Sequence, residues 1–161
     1  MSDALWRFLH RVAAALWDAR NFVLRPAIAG AAVLVRVGDE LLLIQTSYRP
    51  WYGVPGGGVR RGEEPRLAAA RELREEVGIA VAPDALRALG EFVVHHTFIE
   101  DHVHAFELRL EAHPPLRVDR REVVWAGFRS EASLGGLPLW PARPALLASG
   151  HRHEAPAREL A

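Results

Sequence analysis

The chain has 161 residues, half of them hydrophobic and a quarter charged, the profile of one soluble globular domain with a core rather than of a disordered or fibrous protein. Twenty basic residues balance twenty acidic ones, so no net field would hold the protein on nucleic acid or on an anionic membrane. All twenty basic residues are arginine and cysteine is absent, which removes catalytic lysine, phosphate-binding lysine, disulfides, thiolate zinc sites and thiol nucleophiles.

Leu5, Trp6, Leu9, Val12, Ala13, Leu16 and Trp17 recur at helical spacing with Arg7, Arg11, Asp18 and Arg20 off that stripe, which predicts an amphipathic helix over 3–20. The helix is expected to cap the domain or to form a homodimer contact. Two Trp and several Arg would also suit an interfacial membrane helix, a role that Asp18 and the neutral whole-chain charge disfavour. Arg7, His10 and Arg11 interrupt the apolar stretch as a secretory signal would not, and no stretch reaches transmembrane length, so a cytoplasmic location is expected. Residues 1–24 are assigned to this helix, 25–148 to the main domain, and 149–161, with Gly150, Pro156 and mixed charge, to a flexible tail.

Residues 28–37 and 40–46 are rich in Val, Ile and Leu and flank Gly38-Asp39, which predicts a buried hairpin. Residues 48–58 read as a loop from their Pro, Gly and aromatic content. Pro65 suits the first turn of the next helix, and Gly78 suits its C-cap. Strands are expected over 85–99 and 102–111, joined near Glu100-Asp101, and over 122–128, followed by a short helix near 143–148. His95, His96, His102 and His104 gather in the second hairpin, but adjacent His95 and His96 point to opposite faces, so polar strand positions are preferred to a zinc site.

The most informative stretch reads Gly57, five residues, Glu63, seven residues, then Arg71-Glu72-Leu73-Arg74-Glu75-Glu76-Val77-Gly78-Ile79. On a helix Glu72 and Glu76 are one turn apart and Glu75 lies between their directions, so the three carboxylates share about one ~100° face. Crowding of like charge is unfavourable unless cations share it, and Mg²⁺ takes carboxylate oxygens while bridging them to substrate phosphates. A solvated stripe paired with arginine, Arg71 with Glu75 at i,i+4, would give the same letters. Pro55-Gly56-Gly57-Gly58 tips the reading toward a metal site, because missing side chains let the backbone approach a ligand.

These residues resemble the Nudix box, G-x5-E-x7-R-E-U-x-E-E-x-G-U with U aliphatic, at every fixed position, and Tyr52-Gly53-Val54-Pro55-Gly56-Gly57 resembles the W-G-L-P-G-G lead-in common in that family. The resemblance implies an α/β (α+β) fold, a Nudix-type α/β/α sandwich with a mixed β-sheet, to which the amino-terminal helix is an addition. It implies Mg²⁺ or Mn²⁺ held by Glu72, Glu75, Glu76 and the Gly57 carbonyl, with Arg71 orienting a neighbouring glutamate and Glu63 supporting the loop. The reaction it implies is hydrolysis of a phosphoanhydride in a nucleoside diphosphate linked to another moiety, a nucleoside triphosphate or nucleotide sugar, by metal-activated water. The general base is then expected at Glu72 or on a later loop, at Glu122 or Glu100.

Arg60 stands where that family often has Glu, and with Arg61 it offers guanidinium forks that match phosphate geometry; Arg49 is a similar candidate. Tyr48, Trp51 and Tyr52 lie on the loop entering the site and would either stack on a base, Trp51 foremost for its larger face, or pack under the loop. Substrate signatures of the family are missing. No Pro occurs between Pro83 and Pro114, where an ADP-ribose preference would place one, and both tyrosines precede the box, whereas a diadenosine polyphosphate preference goes with a tyrosine past it. The rival reading is a nucleotide-sensing module on the same fold without turnover; loss of turnover usually damages the box, and this box is complete.

Overall fold

Strand β1 (Ala27–Val37) organises the sheet, because its two edges are used differently. One edge runs parallel to β6 (Glu100–Leu110) from Ala27 opposite Glu100 to Val37 opposite Leu110. The other edge takes two partners in turn. Arg36 and Val37 pair antiparallel with Leu41 and Glu40 of β2 (Glu40–Thr46), closing the expected hairpin through Gly38 at φ 58°. Gly30, Ala31 and Ala32 pair instead with Gly58, Gly57 and Gly56 of β4 (Gly56–Gly58). The glycine-rich segment therefore enters the sheet where β1 exchanges partners, and Val33 N–H to Pro55 C=O at 2.8 Å and Val59 N–H to Ala29 C=O at 2.9 Å fix it at both ends.

The computed structural model describes residues 5–6, 8–10, 12–13, 15–16, 27–95, 100–118 and 120–139. The sheet is mixed, in the order β3-β2-β1-β6-β5, with β4 on β1 and β7 on β2; β3 is Tyr52–Gly53, β5 Arg87–His95 and β7 Val123–Ser130. Ala31, Val33 and Val35 face one core and Leu34 the other, so both faces of β1 are covered and the strand reads as a near-continuous apolar run. Helix α1 (Pro65–Val77) covers the first face through Ala68, Ala69, Leu73 and Val77. Pro65 opens it and Gly78, at φ 76°, ends it, as expected.

The structure departs from the sequence reading in several places. The expected loop over 48–58 contains β3 and β4, too short and too rich in glycine to announce themselves as strands. Glu100 and Asp101 are not a turn but the first residues of β6, held by parallel pairing to Ala27 and Ile28. The strand expected from residue 85 starts at Arg87, because Pro83–Ala85 forms a 3-10 turn. A second 3-10 turn, Glu131–Gly136, was not anticipated, and it buries Leu134 in the second core. The rest of the amino-terminal helix, His96, the 143–148 helix and the tail lie outside the described residues, as does the side chain of His95.

The described positions from 5 to 16 are helical, with Leu5, Phe8, Leu9, Val12 and Leu16 exposed, while Trp6 lies beneath the Arg121 guanidinium at 5.7 Å. Among the described residues no helix is long and apolar enough to cross a membrane. The second core also holds a charge cluster that the sequence reading missed. Buried Glu107 accepts from Nε of Arg36, Arg87 and Arg109, each at 3.1 Å, and Arg36 also reaches Glu131 through Nη1. Burial works to raise the Glu107 carboxyl, but the bonds from Arg87 and Arg109 outweigh it and hold the group below the usual carboxylate range.

Candidate active site

Helix α1 carries its carboxylates toward the glycine strand. Buried Glu76 accepts the Gly56 N–H at 2.8 Å, and Glu72 lies so close to Gly57 that a Cβ there would stand 2.5 Å from its Oε1. Gly56 is required by contact, since a Cβ there would meet the backbone of Ala31 and Ala32, whereas at Gly57 the nearest obstacle is the end of the Glu72 side chain. Arg71 ties the set together. Its Nε and Nη2 donate to the two oxygens of Glu63 at 2.9 and 3.0 Å, Nη2 also to the Gly58 carbonyl at 3.1 Å, and Nη1 to Glu72 at 2.5 Å and Glu75 at 3.4 Å. Glu63 accepts in addition the Arg60 N–H at 2.9 Å. The Arg71 hydrogen bond and then the Arg60 amide pull the Glu63 carboxyl down to about 2, while Glu63 in return raises Arg71, so this pair stays ionised.

Glu72 moves the other way. Burial raises its carboxyl, Arg71 opposes the rise, and the charges of Glu75 and Glu122 add to it. A desolvated carboxylate facing two others is the condition that a bound cation relieves, and the donors available, three glutamates beside a strand of bare backbone, are hard oxygens. By type they suit a hard divalent cation. Glu72 and Glu75 bond to Arg71 and Glu76 to Gly56, and among the described residues no three acidic or histidine side chains converge at ligand spacing. Gathering on an ion would turn Glu72 and Glu75 away from Arg71.

Of the two later-loop candidates, Glu122 is the one whose side-chain contacts are described. Its backbone carbonyl accepts the Ser47 N–H at 2.8 Å, its carboxylate accepts the Tyr48 hydroxyl at 2.8 Å, and its charge acts on Glu72. Glu100 opens β6 opposite Ala27, and its side chain lies outside the described residues. The β2–β7 pairing slips beside Glu122: Gln45 faces Trp125 but Thr46 faces Val123, leaving Val124 as the extra residue of a bulge. Val123 consequently packs in the first core and Trp125 against the second, although they are two apart.

The other predicted contacts divide. Arg60 is exposed, with Nη2 3.9 Å from Glu75, so it borders the acidic face. Arg49 is exposed and its guanidinium lies over the rings of Trp51 at 5.3 Å and Tyr48 at 5.8 Å. Tyr52 requires a correction: it packs against the second core, on the sheet face away from α1, with its ring set edge-on to Trp125 at 5.4 Å. β3 turns it there by pairing with Gln45. His102 is engaged by Glu91 at 2.6 Å. Sequence reasoning missed the Gly56 amide, which no side-chain pattern advertises, and the hydroxyl of Tyr48, which was read for its ring alone.

Sheet, box helix and glycine strand together define a Nudix domain. Residues 25–145 match the NUDIX domain family, most of the chain, and the chain belongs to that family. It is 34% identical over 61 residues to the uncharacterized Nudix hydrolase YvcI of Bacillus subtilis, a match covering 38% of this chain and 39% of that protein, well short of the relative's full length. Among solved structures, the MutT NUDIX hydrolase of Burkholderia pseudomallei is similar with TM-score 0.68 at 22% identity, over 77% of this chain and 98% of the other. The NUDIX domain of Shewanella oneidensis NrtR, solved in complex with ADP-ribose, gives TM-score 0.69 at 13% identity over 81% and 90%. At these identities the two structures establish the shared fold.

Proposed function

We propose that this chain is a Mg²⁺- or Mn²⁺-dependent pyrophosphohydrolase that cleaves a phosphoanhydride in a nucleoside diphosphate linked to another moiety, a nucleoside triphosphate or nucleotide sugar. The observation that carries the proposal is the largely buried Glu72 carboxylate, packed against Gly57 and raised by burial and by the charges of Glu75 and Glu122. Glu72, Glu75, Glu76 and the Gly57 carbonyl would hold the ion, which when bound lowers the pKa of water and offsets charge on phosphate. Arg71 and Glu63 keep the glycine strand and the helix in register. Glu122 takes the proton of the attacking water, a role supported by its carboxylate being held by the Tyr48 hydroxyl and by its charge acting on Glu72. Arg60, beside the acidic face, and Arg49 with Trp51, on the loop after β2, bind substrate phosphate and base. ADP-ribose on the similar NrtR domain supports a nucleotide ligand of this size. Arg121 stacked on Trp6 supports the capping role for the amino-terminal helix.

The test is a screen of nucleoside di- and triphosphates, dinucleotides and nucleotide sugars with each ion, comparing wild type with Glu76→Gln. Turnover by the wild type and its loss in the variant are expected. If the wild type binds nucleotides but releases no product above the variant on any of them, the chain is a nucleotide-sensing module and the enzyme reading is wrong.

A further inference from the structure

The loop after β2 carries a contact that neither the box nor the substrate reading explains. Tyr48 is only partly exposed, and its hydroxyl donates to Glu122 Oε1 at 2.8 Å across 74 positions of sequence. The adjacent Ser47 N–H holds the Glu122 carbonyl, and the bulge at Val124 sets the turn of the chain there. Glu122 is therefore fixed at both its backbone and its carboxylate.

We propose that Tyr48 is a positioning residue, whose hydroxyl holds the Glu122 carboxylate toward the acidic face of α1 and which acts on turnover through Glu122 rather than by touching the nucleotide. The hydrogen bond fixes the direction of the Glu122 carboxylate, whose charge also acts on Glu72. A phenol suits the task better than an arginine, because it contributes a directed hydrogen bond without adding a cation that would compete for the carboxylates. Burial, followed by the charge of Glu122, raises the Tyr48 hydroxyl, so it remains a donor through the neutral range. The Arg49 guanidinium over the Tyr48 ring completes the packing on that side.

The inference rests on the proposed role of Glu122, and the experiment separates the two. GTP and ADP-ribose are the probes, with Mg²⁺, and kcat and KM are measured for wild type, Tyr48→Phe, Glu122→Gln and the double variant, each checked by thermal melting. Glu122→Gln is expected to lower kcat by about 100-fold, the size of a lost general base. Tyr48→Phe keeps the ring and is expected to lower kcat by about tenfold, the size of one hydrogen bond to a charged group, with KM within about twofold. The double variant should be no slower than Glu122→Gln alone, since Tyr48 then has no carboxylate to hold. A rise in KM with kcat unchanged would make Tyr48 a substrate contact, and effects that multiply in the double variant would make it an independent structural residue; either overturns the proposal. If Glu122→Gln turns over as fast as wild type, the reading of Glu122 fails and the positioning role with it. If the wild type cleaves neither probe, nor any nucleotide of the wider screen, the hydrolase reading itself fails.

Discussion

The Gly56 N–H donates to the Glu76 carboxylate at 2.8 Å, joining the glycine strand to the last turn of helix α1. The bond is made possible by close backbone approach: a Cβ at Gly56 would collide with the Ala31 carbonyl and stand 2.9 Å from Ala32 Cα. Those atoms belong to the central strand and cannot give way as a side chain would. Gly56→Ala is therefore expected to destabilise the fold by about 3 kcal/mol, the upper part of the usual range for overpacking. Urea unfolding monitored by circular dichroism measures it, and a loss within experimental error of zero would contradict the close approach.

Gly57→Ala should behave differently, although its neighbour is equally near. The obstacle at Gly57 is the carboxylate end of Glu72, a group free to swing, so unfolding free energy should change by less than about 1 kcal/mol. What changes is the direction of the carboxylate. Mn²⁺ affinity, followed by calorimetry or electron paramagnetic resonance, should fall by roughly 10- to 100-fold, and kcat/KM should fall with it.

A third expectation concerns acid. The Glu63 carboxyl sits at about 2 in the folded protein, held there by Arg71 and the Arg60 amide, against 4.5 for the unperturbed group. Its folded pKa is depressed, so its contribution to stability is fully present above about 4.5 and is lost as pH falls toward 2. Glu63→Gln lacks that contribution at every pH. Denaturant midpoints taken between pH 2 and pH 5 should show the wild type ahead at the upper end and the gap closing toward the lower. A gap independent of pH would mean that Glu63 acts by packing alone.

The box was legible because its chemistry imposes letters: a metal site needs carboxylates at helical spacing, and close approach needs glycine. Arg71 joins Glu63, Glu72 and Glu75, and Glu72 packs against Gly57, so these letters are neighbours in the fold as they are in the pattern. The longer strands were legible for the same kind of reason, since β1 and β2 are covered on both faces and are therefore mostly apolar. The misses share a cause as well. Tyr52 faces the second core because β3 pairs with β2, and the Tyr48 hydroxyl finds the Glu122 carboxylate beside a bulge between β2 and β7; both depend on partners far along the chain. The charge cluster was hidden by ordinary letters. Arg36 and Glu107 occupy inward positions beside Leu34 and Ala105, a mismatch that signals a buried pair only once β1 and β6 are known to be neighbours.

That cluster supports a last expectation, which separates stability from catalysis. Glu107 is buried and receives three guanidinium groups, one of them from Arg36, itself 5% exposed. Replacing the carboxylate leaves Arg36 charged in the second core with Glu131 as its remaining acidic neighbour. The cost of stranding one member of a buried pair is about 3–5 kcal/mol, whereas the exposed partners Arg87 and Arg109 can turn to water. Glu107→Gln should therefore lower the melting temperature steeply, and Arg109→Ala should do so by much less. The cluster lies on the face of the sheet away from α1, so below the melting transition both variants should retain wild-type kcat and KM on whichever nucleotide the screen identifies. A Glu107→Gln protein that is fully stable would mean that the buried charge contributes nothing to the fold; one that is stable but inactive would mean that the second core reaches the site.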